Sequence, residues 1–138
     1  MCKQEYLGKL NKESLIGVIG GGQLAQMLGK AAKKRNFNIA VQTSSEFDPA
    51  VSESMELILA DPKDVEGTEN LLKLSDHITF ENEWLDIESL LPLKGKGAIF
   101  IPSLSAFSPL VDKISQRKLL GKLDIPSPEW SLLSSIDS

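Results

Sequence analysis

Short apolar runs alternate with amphipathic stretches along most of the chain. Five runs have the length and apolar content of strands in a parallel sheet; they are 15–19, 38–43, 56–59, 77–80 and 98–101. Helical patterns lie between or after them, at 23 to about 35, 64–74, 86–91 and about 113–123. Strands and helices that alternate at this spacing predict an α/β domain with a mostly parallel five-stranded sheet and helices on both faces.

Turn and cap residues set the predicted ends of these elements. Asn36 favours the end of the first helix, and Asp112 is a suitable N-cap for the last one. Pro92 predicts that the third helix stops there, because proline removes a helical hydrogen bond. A loop that contains Pro102 and Pro109 is expected between the last strand and the last helix.

Three consecutive glycines, Gly20, Gly21 and Gly22, connect the first strand to the first helix. Glycines let the backbone bend sharply and let a ligand approach bare N–H groups. The first turn of a helix has unpaired N–H groups, and the helix dipole favours an anion there. The stretch is therefore either a phosphate cradle or only a tight turn. The helix that follows carries apolar residues at helical spacing on one face, namely Leu24, Met27, Leu28, Ala31 and Ala32.

The glycine turn also fits the dinucleotide-binding pattern, as Gly20-x-Gly22-x-x-Ala25. That pattern requires an acid at the end of the second strand, where it holds a ribose hydroxyl. Here the strand ends in Gln-Thr-Ser-Ser at 42–45, and Glu46 comes late, in a loop. A stand-alone dinucleotide-binding module is weakened but stays open, as does a small interaction domain without enzymatic activity.

Two acids follow the fourth strand directly, in the segment Thr-Phe-Glu-Asn-Glu at 79–83. Ligands of parallel sheets bind beyond the carboxyl ends of the strands, so Glu81 and Glu83 lie on the expected ligand rim. Alternation along an extended chain would point both side chains the same way. The alternative is a solvated acidic loop, and Trp84 beside it is expected to anchor packing.

Composition excludes several classes of function. A length of 138 residues suits one domain, and the net charge of −4 argues against a nucleic-acid partner. No apolar run approaches a membrane span, and a single cysteine, Cys2, fits a reducing cytoplasm. His77 is the only histidine and has no second metal-binding residue near it, so no metal site is expected.

Five segments, in the same order along the chain, resemble the 5-(carboxyamino)imidazole ribonucleotide synthetases, the ATPase component of phosphoribosylaminoimidazole carboxylase. The first two are the glycine motif Gly-Gly-Gly-Gln-Leu-Ala-Gln-Met-Leu at 20–28 and the acidic segment at 79–83. The others are Pro-Ser-Leu-Ser-Ala at 102–106, Asp-Lys-Ile-Ser-Gln-Arg-Lys-Leu-Leu at 112–120, and Ile-Pro-Ser-Pro-Glu-Trp at 125–130.

The resemblance implies the N-terminal domain of a three-domain ATP-grasp ligase in de novo purine synthesis. Such enzymes use ATP and Mg²⁺ to activate bicarbonate, and then carboxylate aminoimidazole ribonucleotide. Residues 1–14 would be a loose lead-in, 15–124 a Rossmann-like pre-ATP-grasp domain, and 125–138 a linker into a missing ATP-grasp domain. The full-length enzyme would be a cytoplasmic homodimer with no membrane partner, and this chain alone would be inactive.

The resemblance also implies roles for individual residues. Gly22, Gln23, Leu24 and Glu81 match substrate-binding positions of the family, and no catalytic residue falls within this chain. The family's usual Asp-Arg pair before the last helix reads Asp-Lys here. Related biotin carboxylases have lysine at that position and use it on ATP, so Lys113 is expected to reach an ATP phosphate.

Overall fold

The computed structural model of the protein describes residues 15–75 and 77–132. Its strands are β1 (Leu15–Ile19), β2 (Asn38–Thr43), β3 (Glu56–Leu59), β4 (His77–Phe80) and β5 (Ile99–Phe100). Its α-helices are α1 (Gln23–Lys33), α2 (Val65–Leu74), α3 (Ile87–Gly95), α4 (Leu104–Phe107) and α5 (Lys113–Lys122). Two 3₁₀ turns span Pro49–Glu53 and Ser108–Leu110. The predicted lead-in, Cys2 and the last six residues of the predicted linker lie outside the described residues.

The strands form one sheet in the order β3-β2-β1-β4-β5, and every pairing is parallel. In register, Gly17 of β1 pairs with Ala40 of β2 on one side and with Ile78 of β4 on the other. The strand order reverses direction beside β1, which makes the β1–β4 junction a topological switch point. Parallel sheets open a ligand crevice at such a point, beyond the carboxyl ends of the strands.

Two buried apolar clusters cover the two faces of the sheet. The first joins β1 and β2 to α1, and its members are Val18, Ala25, Ala32, Ile39, Val41 and Ala50. The second joins the sheet to α2, α3 and α4, and includes Ile19, Ala40, Leu71, Ile78, Leu90, Leu93 and Leu104. Neighbouring strand residues belong to different clusters, because successive side chains point to opposite faces. The α/β sheet with helices on both faces is confirmed.

Helix α1 packs on the sheet through its small residues. Ala25, Gly29 and Ala32 are buried, whereas the predicted apolar face is largely exposed, with Leu24 at 62% and Met27 at 61% exposure. A Cβ on Gly29 would lie 2.7 Å from the Glu53 Cβ and 2.9 Å from the Ile39 Cδ1. The close approach of the Pro49–Glu53 turn therefore requires the small face of α1 to turn inward.

Two predicted helix ends are confirmed and one is wrong. Asn36 adopts a positive φ of 58° just after α1, and the Asp112 side chain caps α5 by accepting hydrogen bonds from the Ile114 and Ser115 amides. The helix expected to stop at Pro92 continues to Gly95. Burial of Leu90 and Leu93 against the sheet offsets the hydrogen bond that the proline removes.

The segment predicted as a loop between the last strand and the last helix contains ordered structure. Ser103 caps α4 by accepting a hydrogen bond from the Ala106 amide, and Leu104 is fully buried. A 3₁₀ turn then leads towards α5, and β5 is shorter than predicted. No helix in the described part of the chain is long and apolar enough to span a bilayer.

Candidate functional site

The glycine turn and the segment after β4 meet at the switch point. The Gly20 amide donates a hydrogen bond to the Gln42 carbonyl (2.9 Å), and the Glu81 amide donates one to the Ile19 carbonyl (2.9 Å). Each of these contacts adds one backbone hydrogen bond beyond the strand ends, the first between β1 and β2 and the second between β1 and β4. Glu81 is consequently fixed beside the turn that begins α1.

The carboxylate of Glu81 lies directly against the glycine turn. A Cβ on Gly20 would be 2.6 Å from the Glu81 Cβ and 2.8 Å from its Oε2. Gly20 also has a φ of +108°, which residues with a side chain rarely adopt. A Cβ on Gly22 would overlap the Glu81 Oε1. Both glycines are needed for this close approach. The predicted substrate-binding residues Gly22 and Glu81 are therefore brought together.

The start of α1 supplies hydrogen-bond donors beside that carboxylate. Gly22 is the N-cap residue and no side chain caps it, so the amides of Gln23 and Leu24 lack an intrahelical partner. The side chains of both residues are exposed. A crevice with backbone donors and a carboxylate acceptor suits a ligand that offers both kinds of group, such as an aminated sugar phosphate.

A cavity of about 260 Å³ adjoins the same carboxylate. Its walls come from the end of β4 and the segment after it, from the end of α4 and the 3₁₀ turn that follows, and from helix α5. The lining residues are Phe80, Glu81, Asn82, Glu83, Phe107, Leu110 and Gln116. The Phe80 ring packs at 5.7 Å from the Phe100 ring and at 4.9 Å from the Phe107 ring, between centroids. Phe107, Leu110 and Gln116 were missed as candidate residues, because only the fold of the 104–110 segment brings them to β4.

Glu83 has a different neighbour from Glu81. Its Oε1 lies 2.9 Å from the Lys113 Nζ, in an ion pair whose side chains are 35% and 71% exposed respectively. The hydrogen bond from the Lys113 ammonium is the main cause that lowers the pKa of Glu83. The two acids of the predicted rim are thus distinct: one lies on the glycine turn, and the other pairs with α5.

The polar side chain of Gln42, near the end of β2, is buried and hydrogen-bonded within the domain. Gln42 is fully buried, and its amide group donates to the carbonyls of Asp61 (2.7 Å) and Asp64 (2.9 Å). The Thr68 hydroxyl donates to the Gln42 Oε1 at 2.9 Å. A dinucleotide-binding protein places an accessible acid here for a ribose. The arrangement disfavours the dinucleotide-binding alternative, because Gln42 is buried and both the nitrogen and the oxygen of its side-chain amide are hydrogen-bonded.

The structure also tests the expectations for His77 and Trp84. His77 is the first residue of β4, as expected. Trp84 is 72% exposed, so the expectation that it anchors packing is wrong. Among residues 15–75 and 77–132, no group of three or more His, Cys, Asp or Glu side chains is arranged to hold a metal ion.

Comparisons with known proteins identify relatives of this chain. The family described as the ribonucleotide synthetase preATP-grasp domain matches residues 14–108. The chain is 43% identical to the N5-carboxyaminoimidazole ribonucleotide synthase of a Synechocystis species over 125 residues, which are 91% of this chain and 32% of that protein.

Solved structures give the same result. The N5-carboxyaminoimidazole ribonucleotide synthetase of Thermotoga maritima superposes with a TM-score of 0.75 and 35% identity, over 90% of this chain and 34% of that one. An Aspergillus clavatus synthase in complex with ADP and 5-aminoimidazole ribonucleotide has a TM-score of 0.69 and 28% identity, over 86% of this chain and 31% of that one.

The chain spans about a third of the length of these relatives. The match includes the glycine turn, the segment after β4 and the cavity wall up to residue 108. By the sequence it shares and the fold it adopts, the chain belongs to the preATP-grasp domain family of the ribonucleotide synthetases.

Proposed function

We propose that this domain holds aminoimidazole ribonucleotide for an ATP-grasp ligase, which carboxylates the ribotide with bicarbonate and ATP in purine biosynthesis. The observation that carries the proposal is the Glu81 carboxylate lying on the glycine turn at the switch point. A family relative with the same fold has been solved with ADP and this ribotide. A domain of this family with a donor-and-acceptor crevice suits the same ligand.

The donors and the acceptor of the crevice have separate roles in this proposal. The amides at Gly22, Gln23 and Leu24 donate to oxygens of the ribotide. Glu81 accepts a hydrogen bond from a ribose hydroxyl or from the amine that becomes carboxylated. A phosphate oxygen bound close to Glu81 would be repelled by its charge, so the carboxylate selects a donor group of the ligand.

ATP enters the proposal through Lys113. Relatives have been solved with ATP or ADP, which supports ATP as a co-substrate of the family. Lys113 begins α5 and carries an exposed ammonium, which we assign to an ATP phosphate. We propose that most ligands of the Mg²⁺ that accompanies ATP lie outside this domain, and that this domain, which matches about a third of the length of its relatives, does not catalyse the reaction alone.

Two exposed apolar surfaces support a larger assembly. Leu123, Ile125, Trp130 and Leu132 are exposed, and residues 125–132 form neither helix nor strand. We assign this stretch to the linker that contacts an ATP-grasp domain, after a domain that ends near residue 124. The exposed side of α1, with Leu24, Met27 and Leu28, is assigned to the surface between subunits of a cytoplasmic homodimer.

The assignment of Glu81 is tested by comparing Glu81→Gln with Glu83→Gln. Each variant of the chain, labelled with ¹⁵N, is titrated with aminoimidazole ribonucleotide, and the dissociation constant is read from amide shifts at 20–24. We expect Glu81→Gln to weaken binding by about tenfold, the cost of one charge-assisted hydrogen bond. Glu83→Gln should stay within about twofold of the parent chain, since its carboxylate is engaged by Lys113. If both variants have equal, small effects, Glu81 does not bind the ribotide and belongs to a solvated acidic loop.

A further inference from the structure

The Glu83–Lys113 ion pair joins two walls of the cavity. Glu83 belongs to the wall that follows β4, and its partner lies thirty residues later in the sequence. Gln116, one helical turn after Lys113, lines the opposite wall from α5. The 2.9 Å contact between the Glu83 Oε1 and the Lys113 Nζ therefore connects the segment after β4 to α5, the two elements that carry these lining residues.

Lys113 occupies a position where helix energetics disfavour a cation. It is the first residue of α5, and the Asp112 side chain already accepts hydrogen bonds from the Ile114 and Ser115 amides. The positive end of the helix dipole opposes the ammonium at this position. The Glu83 carboxylate compensates for that by pairing with it. Because the Lys113 side chain is 71% exposed, the pair remains open to exchange with an anion from solvent.

We propose that Glu83 is a positioning residue that holds Lys113 in a latch, the ion pair between the segment after β4 and α5, and releases it to a polyphosphate. The inference rests on the proposed function in one respect, the assignment of Lys113 to an ATP phosphate. A triphosphate carries several negative charges, so it outcompetes a single carboxylate for the same ammonium. The exchange breaks one ion pair and forms another, and it needs no further reactant. In the absence of nucleotide, the latch holds the ammonium beside Glu83 and masks part of its affinity for phosphate.

The latch is tested with sodium tripolyphosphate as the probe. The chain is titrated as the parent and as Glu83→Gln, Glu88→Gln and Lys113→Met variants, with dissociation constants read from the amides at 112–118. Glu88 is the matched control, because it is an exposed glutamate without an ion-pair partner among the described residues. All three side chains lie outside the buried core, so the dispersed amide spectrum should be kept.

We expect Glu83→Gln to tighten tripolyphosphate binding by about two- to fivefold, the range that an exposed ion pair can mask. Glu88→Gln should give a smaller gain. The gain should disappear when Glu83→Gln is combined with Lys113→Met. An equal gain from both glutamate variants would reflect net charge alone and would overturn the latch.

The latch and the ATP assignment fail in different ways. If Lys113→Met leaves tripolyphosphate binding unchanged, Lys113 is not a phosphate contact and the proposed ATP role is wrong. If Lys113→Met weakens binding while Glu83→Gln leaves it unchanged, the phosphate contact stands and the latch is wrong.

Discussion

The ends of β2 and β4 lie on the same rim of the sheet but serve different purposes. At the end of β2, Gln42 and Thr43 are buried, and their side chains bond to neighbouring residues of the domain. At the end of β4, Glu81 and Glu83 are half-buried and line a cavity. The polar side chains at the end of β2 are used in hydrogen bonds within the domain, whereas those at the end of β4 remain accessible to a ligand.

The difference shows why the glycine motif alone does not specify the ligand. The turn at 20–22 lies between both strand ends, and a Cβ on Gly21 would lie 2.5 Å from the Thr43 Oγ1 on the β2 side. The Glu81 carboxylate contacts Gly20 and Gly22 on the β4 side. A dinucleotide uses the β2 side for its ribose. On the β2 side the Asp48 carboxylate accepts a hydrogen bond from the Thr43 hydroxyl, whereas on the β4 side the Glu81 carboxylate lies against the turn that begins α1.

The largest expected effect comes from placing an acid where a dinucleotide-binding protein has one. Glu at position 42 would direct a carboxylate oxygen at the carbonyls of Asp61 and Asp64, which now accept from the Gln42 amide. A buried, unpaired charge is costly, so we expect Gln42→Glu to lower the free energy of unfolding by about 3 kcal/mol. Urea denaturation measures this. Glu46→Gln, at an exposed residue, serves as the control. A Gln42→Glu chain as stable as the parent would contradict the contrast between the ends of β2 and β4.

The next effect concerns the β4 side of the turn. A valine at position 22 would displace the Glu81 carboxylate, and because the clash is with the flexible end of a side chain, the fold should survive. We expect Gly22→Val to weaken ribotide binding by at least about tenfold, equivalent to ~1.4 kcal/mol. Gly121→Val is the matched control, since a Cβ on Gly121 meets nothing within 4 Å. Unchanged ribotide affinity in Gly22→Val would contradict the assignment of the crevice.

The smallest effect is a shift in the titration of Glu83. The Lys113 ammonium lowers the pKa of Glu83 below its ordinary value of 4.5. A carboxylate with a lowered folded pKa contributes its stabilisation above the unfolded pKa and loses it as the pH falls through the folded pKa. We therefore expect the ¹³C-carboxyl signal of Glu83 to titrate at lower pH in the parent chain than in Lys113→Met. Equal Glu83 midpoints in the two chains would contradict the ion pair.

Much of the fold could be predicted because the strands are short apolar runs separated by turn residues. Four of the five strands have the predicted bounds. The inward face of α1 could not be predicted, since it depends on how closely the Pro49–Glu53 turn approaches Gly29. Helix α3 continues through Pro92 because of tertiary packing, which no local pattern reveals.

The candidate site was predictable only in part. The positions of the glycine turn and of Glu81 follow from strand order and the rim of a parallel sheet. The contacts between Phe107 and Phe80, and between Lys113 and Glu83, join segments about thirty residues apart. They depend on the folded segment between β5 and α5, which carries two prolines and was expected to be a loop.

The most direct test compares two ligands on the same chain. The ¹⁵N-labelled protein is titrated in parallel with aminoimidazole ribonucleotide and with NAD⁺, and saturable amide shifts are mapped onto the rim. We expect the ribotide to shift the amides at 20–24 and 81–83, and NAD⁺ at equal concentration to leave them unchanged. NAD⁺ binding more tightly than the ribotide, with shifts centred on 42–48, would contradict the assignment of the crevice to the β4 side.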